Sequence, residues 1–320
     1  MSNLIAVTIG DIKGIGINLL LKEWGDNKIK NFIIISNYKI VTKSKLFNKH
    51  KINLLKNKNE IKKYNKNKLN ILNINSKNQY TNVLDSLKIA YKLTKSKLFI
   101  GILTLPLNKK EINKFVDNNF IDQTSYFSKL EKTKNSNMLF IFKNKFFTPI
   151  TTHIELKNVY KFFKKKDLVI SKIKNLNKTL KNDFKINNPK LVIAGINPHA
   201  GENGIISKDE DTYLKPIITY LKKNNVNITG PLSGDGLINK NNLNKYDAFI
   251  FTYHDQALIP FKIISNFEGV NFTSNLKIIR VSPSHGTARD IIGKNIATSK
   301  GIINCFKAIN KISKNRFKVD

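Results

Sequence analysis

The sequence predicts an α/β protein with a largely parallel sheet. Short apolar, β-branched runs alternate with longer amphipathic stretches along the whole chain. Its 320 residues suffice for two α/β domains or one large one. Hydrophobic residues make up 41% and charged residues 24%, which suits a soluble globular protein with a substantial core.

In chain order, strands are expected at 4–8, 32–36, 69–74, 98–104, 138–142, 191–194, 248–253 and 278–281. Each is a short run rich in Ile, Val, Leu or Phe, the pattern of a strand buried on both faces. Helices are expected at 15–24, 81–93, 169–180, 213–223 and 301–312, where apolar residues recur every three or four positions. The Lys/Asn-rich stretch 48–68 reads as a polar excursion. With no internal repeat and no long linker, two domains sharing one cleft is the preferred arrangement.

The formal charge of +34 first suggests nucleic acid. Only Arg280, Arg289 and Arg316 are arginines, however; the rest of the positive charge is lysine, spread among Asn and Ile as in KNKNEIKKYNKNKLN. A dedicated nucleic-acid surface concentrates arginine and aromatic residues on one element. The charge therefore reads as drift on solvated faces, with a field that favours anionic ligands. No run of eighteen apolar residues occurs, so no membrane span is expected. The opening MSNLIAVTIGD lacks the pattern of a signal peptide, and the single Cys305 fits a reducing compartment, so a cytoplasmic protein is expected.

His153 ends PITTH, His199 follows LVIAGINP and His254 follows AFIFTY, so three imidazoles stand at predicted strand ends. Ligands of open parallel sheets bind beyond the carboxyl ends of the strands, where the three can converge on a metal ion. Taken singly, each histidine reads better as the cap of a strand end; the three together favour a shared site. GDIKGIG (10–16) opens a helix but lacks GxGxxG spacing, so an ordinary strand-to-helix turn is as good a reading as a binding loop. HGTARDIIGKNIA (285–297) is richer: Gly286 permits close backbone approach, and His285, Thr287 and Asp290 add polar groups. Its plain alternative is a helix start with Thr287 as N-cap. Arg280 is suggestive in a lysine-saturated chain, because a guanidinium grips phosphate or carboxylate with a planar fork that lysine lacks.

Taken in order, these segments resemble the 4-hydroxythreonine-4-phosphate dehydrogenase family of the PdxA type. TIGDIKGIG (8–16) is similar to the family's TPGDPAGIG, TLPLNK (104–109) to TAPINK, and TTHIELKNV (151–159) to TTHIPLRDV. AGINPHAGENG (194–204) is close to the consensus, and GPLSGDGLI (230–238) resembles GPLPADTLF. YHDQALIPFK (253–262), GVNFT (269–273), Ile279–Arg280 and HGTARD (285–290) complete the series.

The resemblance implies an α/β fold like that of isocitrate and isopropylmalate dehydrogenases, with two α/β domains flanking a cleft. Residues 1–124 with 268–320 would form the first, with the cofactor loop; residues 125–267 would form the second, with metal ligands and dimer interface. It implies oxidation of 4-phosphohydroxy-L-threonine by NAD or NADP to a 2-amino-3-oxo acid, which decarboxylates to 3-amino-2-oxopropyl phosphate on the route to pyridoxal 5'-phosphate. By resemblance, His153, His199 and His254 bind one divalent metal ion (zinc, magnesium or cobalt), with one ligand from the partner of a homodimer. Gln123, Thr124, Lys262, Asn271 and Arg280 would contact the substrate. Asp235, Asp255 and Lys262 are candidates for proton handling, and His285, Gly286, Thr287, Ala288 and Asp290 for the dinucleotide.

One departure matters: the family has GHTE where this chain has DQTS (122–125), so Gln123 replaces a histidine and cannot titrate. That keeps open a related dehydrogenase of a phosphorylated four-carbon sugar acid. A basic nucleic-acid-binding protein is the rival from another class.

Overall fold

The computed structural model describes residues 3–43, 47, 50–133, 135–294 and 296–317. In chain order these form β1 (Ile5–Thr8), α1 (Ile15–Gly25), β2 (Phe32–Ser36), α2 (Tyr38–Val41), β3 (Ile52–Leu55), β4 (Leu69–Asn73), α3 (Gln79–Lys95), β5 (Gly101–Thr104), α4 (Lys109–Phe115) and α5 (Gln123–Glu131). There follow β6 (Asn137–Phe142), β7 (Lys145–Pro149), α6 (Val159–Phe163), α7 (Lys166–Phe184), β8 (Leu191–Ala194), α8 (Lys215–Lys223), β9 (Ile228–Leu232), α9 (Lys240–Lys245), β10 (Ala248–Phe251), α10 (His254–Ser265) and β11 (Val270–Ser274). The chain ends with β12 (Arg280–Pro283) and α11 (Lys300–Phe317).

Two compact units result: Met1–Glu131 with Leu276–Asp320, and Lys132–Asn275. The seams fall later than the 124 and 267 read from sequence. α5 stays with the first unit because Phe127 is buried in that unit's core, and β11 stays with the second because it pairs with β6.

In the first unit the strand order is β3-β4-β2-β1-β5-β12, and every neighbouring pair is parallel. β1, β2 and β5 are buried at every position, which is why they read as unbroken apolar runs. The register sets Thr8 beside Thr104, so the loops of the first two motifs leave the sheet together. Gly10 is required there: its φ is +66°, and a β-carbon would lie 2.3 Å from the Pro106 carbonyl oxygen.

In the second unit the order is β11-β6-β7-β10-β8-β9. β6 runs antiparallel to both β11 and β7, whereas β7, β10, β8 and β9 are parallel. Its core is aromatic, with Phe147 and Phe249 stacked at 5.2 Å between ring centroids.

The sequence reading missed β3, β7, β9 and β11. β3 lies inside the supposed polar excursion, where it pairs only with β4 and buries only Leu55; residues 48 and 49 of that stretch lie outside the described residues. β7 follows β6 through a turn at Lys143 and Asn144, both with positive φ (46° and 60°), a hairpin turn made without its usual glycine. The strand expected at 248–253 ends at Phe251, and Arg280 opens β12 rather than closing it.

Candidate functional site

The second unit carries the histidines. Parallel pairing of β7 with β10 sets Pro149 beside Phe251, so the two chains leave the sheet side by side. They stay joined beyond it: the Thr151 backbone N–H and hydroxyl donate to the Thr252 carbonyl at 3.2 and 2.7 Å. A few residues further on, His153 and His254 face each other with ring centroids 5.7 Å apart. His153 has a left-handed backbone (φ 44°), which is uncommon outside glycine and fixes where its ring projects.

His254 opens α10, and its Nδ1 lies 2.6 Å from Asp255 Oδ1. An ionised carboxylate accepts, so this contact puts the proton on Nδ1 and leaves the Nε2 lone pair to a metal. The proton-handling candidate Asp255 thus meets His254 through one of its carboxylate oxygens.

His199 lies in a run of left-handed residues, 199–203, after β8. A buried carboxylate absent from the sequence reading holds that turn. Glu210 is 1% exposed and accepts from the backbone N–H of Ile196 at 2.8 Å and of Asn197 at 2.7 Å. A β-carbon on Gly201 would lie 2.5 Å from Glu210 Oε2, so only glycine fits there. His199 lines a cleft of about 760 Å³ together with Asp235, Tyr253, Asp255 and Gln256. Asp235 is exposed and accepts from the Ser233 hydroxyl; that bond, more than the nearby His199, holds its carboxyl below the usual range.

The three histidines do not form one closed ligand set in a single chain. Among the described residues no group of three or more His, Cys, Asp or Glu side chains is arranged to hold a metal ion. The geometry gives a pair, His153 and His254, with His199 on the neighbouring cleft. Lys262 is exposed in the last turn of α10. Asn271 is half-buried on β11, and its Oδ1 is a buried acceptor with no hydrogen-bond partner among the described groups.

The first unit carries the arginine site. Arg280 is 2% exposed. Its Nε and Nη2 donate to Thr104 Oγ1 at 3.0 and 2.6 Å, Nη2 also donates to Gln123 Oε1, and the guanidinium lies 5.9 Å from the Phe127 ring centroid. Burial pushes its pKa down to about 10, opposed by the charge of Asp122, so it stays cationic at neutral pH. Within the unit, Gln123 Oε1 accepts from Thr104 and Arg280, and Nε2 uses one of its two N–H groups on the Leu105 carbonyl at 3.1 Å. Thr124 is buried in the first turn of α5.

The HGTARD segment also lies in this unit. It does not start an ordinary helix with Thr287 as cap. Arg289–Ile291 form a single 3-10 turn behind Ala288, whose φ is 43°, and α11 begins only at Lys300. His285 Nδ1 lies 2.9 Å from the Gly286 carbonyl oxygen, while Nε2 is buried without a partner among the described groups. Burial lowers its pKa, so the ring is neutral at neutral pH. A β-carbon on Gly286 would meet nothing within 4 Å, so space for a ligand lies against that backbone; Asp290 is exposed. Sequence reading passed over Arg289, Asp11 and Glu111, which pair here; the available signal was Arg289 itself, one of only three arginines.

Fold and site define an α/β protein with two facing imidazoles beyond the strand ends of one unit and a buried guanidinium in the sheet of the other. The profile of the family described as pyridoxal phosphate biosynthetic protein PdxA matches residues 28–309. The chain is 32% identical over 311 residues to a 4-hydroxythreonine-4-phosphate dehydrogenase of Sulfurihydrogenibium sp., covering 93% of this chain and 95% of that one. It is 33% identical to the protein of that name from Aquifex aeolicus, covering 98% and 99%. The fold superposes on the crystal structure of 4-hydroxythreonine-4-phosphate dehydrogenase from Klebsiella pneumoniae with a TM-score of 0.81, at 23% identity, over 98% of this chain and 100% of that one. The chain belongs to the PdxA family.

Proposed function

We propose that this protein is a 4-hydroxythreonine-4-phosphate dehydrogenase of pyridoxal phosphate biosynthesis. It would oxidise the substrate's secondary alcohol with NAD or NADP, and the resulting 2-amino-3-oxo acid would lose carbon dioxide to give 3-amino-2-oxopropyl phosphate. The observation that carries this reading is the end-to-end similarity to relatives of that name at about a third identity.

The residues present fit a divalent metal in part. His153 and His254 offer two imidazoles, one of them oriented by Asp255. A second copy of the chain would complete the ligand set with His199, which makes the working form a homodimer. Exposed isoleucines support such an interface: Ile259 and Ile263 on α10 are 61% and 75% exposed, and Ile205 beside the His199 turn is 82% exposed. A divalent ion held there would polarise the substrate hydroxyl and the carbonyl that replaces it.

Lys262 is the side chain best suited to hold a substrate anion from α10, and Asn271 offers its unpaired Oδ1 to a donor on the substrate. Arg280 supplies a buried fork, positive at neutral pH, for phosphate or carboxylate. Asp235 is solvent-accessible and could relay a proton from the hydroxyl to water, with the Ser233 bond, which lowers its pKa, opposing that role. His285 Nε2 and the open backbone at Gly286 fit a dinucleotide, which accepts the hydride. Gln123 acts on the substrate site through Arg280, whose guanidinium it accepts from, so the four-carbon phosphosugar acid stays the substrate to test against.

The test is NAD reduction by 4-phosphohydroxy-L-threonine, and by a four-carbon phosphosugar acid, with and without chelator. Chelator-sensitive turnover of the first substrate is expected. Folded protein inactive with it would overturn the proposal, and His199→Ala with near-native turnover would remove the metal assignment.

A further inference from the structure

The loop that carries His285, Gly286, Thr287, Ala288 and Asp290 has little to hold it. Among the described residues its regular structure is the 3-10 turn Arg289–Ile291. Its apolar residues do not anchor it, since Ile292 is 42% and Ile296 70% exposed. Among the described residues one backbone bond ties it to another segment, from the Ile15 N–H to the Thr287 carbonyl at 2.9 Å.

Arg289 supplies the rest. Its Nε donates to Asp11 Oδ2 at 2.6 Å. Its Nη1 and Nη2 grip both oxygens of Glu111 at 2.8 and 2.7 Å. Asp11 belongs to the turn after β1, and Glu111 to the first turn of α4. One side chain thus ties the loop to two other elements of its unit. The Asp11 carboxylate is itself fixed: it is 5% exposed, and its Oδ1 accepts from the Lys13 N–H at 2.9 Å.

The choice of residue is informative. The chain has three arginines among 56 basic residues. Each of the three meets several acceptors at once: Arg280 meets Thr104 and Gln123, Arg316 meets the carbonyls of Leu276, Lys277 and Ile278, and Arg289 meets two carboxylates. A lysine ammonium has three donors, but all on one nitrogen, so it cannot match the planar fork that reaches two separate carboxylates.

We infer that Arg289 is a positioning residue for the dinucleotide: clamped by Asp11 and Glu111, it holds the loop 285–290 in its ligand-receiving shape. Ala288 is left-handed in that shape, a conformation that a residue with a β-carbon keeps only when its surroundings enforce it. The clamp lies directly after Ala288 and provides the constraint. This rests on the reading of the loop as the dinucleotide site.

The test uses the full-length protein. Hydrogen exchange of the ligand-free protein reads the clamp directly, without reference to activity. In Arg289→Met the amides of the loop should exchange faster, while those of β1 and β5 stay protected. If the loop keeps its competent shape a tenth of the time, the KM for NAD rises about tenfold, and the substrate KM and kcat move less. Arg289→Lys should stay near Arg289→Met, and Glu111→Gln should give part of the effect. Unchanged loop exchange in Arg289→Met, or full recovery by lysine, would overturn the inference. So would a loosened loop with an unchanged KM for NAD while His285→Ala raises that KM. If His285→Ala also leaves that KM unchanged, the reading of the loop as the dinucleotide site falls, and the inference with it.

Discussion

Gln123→Leu is the substitution that the buried arginine makes most informative. Leucine fills nearly the same volume but removes an acceptor and a donor from a site 9% exposed. The Arg280 guanidinium loses the acceptor it shares with Thr104, and the Leu105 carbonyl loses its side-chain donor. A hydrogen bond to a charged group contributes about 1.5–3 kcal/mol and a neutral one about 1 kcal/mol. Little solvent reaches the site to replace them, so the loss is about 2.5–4 kcal/mol. For a domain of roughly 150–250 residues that lowers the melting temperature by about 5–16 °C. Gln123→Glu is the matched control. It keeps the acceptor and gives Arg280 a counter-charge, so it should melt well above Gln123→Leu while weakening anion binding. Calorimetry with and without inorganic phosphate reads both effects. A Gln123→Leu protein melting within about 1 °C of the parent would refute the claim that this amide holds the guanidinium.

Two further substitutions probe other parts of the molecule. Asp255→Asn should weaken divalent-metal binding by about 10–100-fold through loss of the group that orients His254; isothermal titration with zinc checks this, and unchanged affinity would return Asp255 to proton handling. Lys172 on α7 has its pKa pushed down to about 8 by burial, and its Nζ donates to the Ser136 carbonyl and Asn137 Oδ1 at 3.2 Å. Between about pH 8 and 10.5 the unfolded chain holds a proton that the folded chain has released, so stability rises with pH across that window and the full cost of burying the charge is present below it. That cost is at most about 3 kcal/mol, offset by the two bonds, so Lys172→Met should raise the melting temperature at pH 7 and flatten the profile above pH 8. An unchanged slope would place the titration elsewhere.

Local patterning carried much of the fold. Apolar periodicity is a property of neighbouring residues, and it located strands such as 32–36 and 191–194 and the stretches that became α1, α3, α7, α8 and α11. It failed where local signals are weak: at β3, which buries one residue, and at a hairpin whose turn is Lys143–Asn144 rather than a glycine pair. The motif residues were also legible, because the segments of the family resemblance survive in order despite the drift toward lysine and asparagine.

Their partners were not legible. That His153 faces His254, residues 101 apart in sequence, follows from the register of β7 on β10. That Gln123 is bound to Arg280, and that Arg289 grips Asp11 and Glu111, follows from which loops the parallel sheet of the first unit brings together. The sequence by itself determined which chemical groups stand at the strand ends and which elements carry them. Only the tertiary structure decided which of those groups meet, because strand register and backbone conformation at a few left-handed residues are set by contacts between segments far apart in the chain.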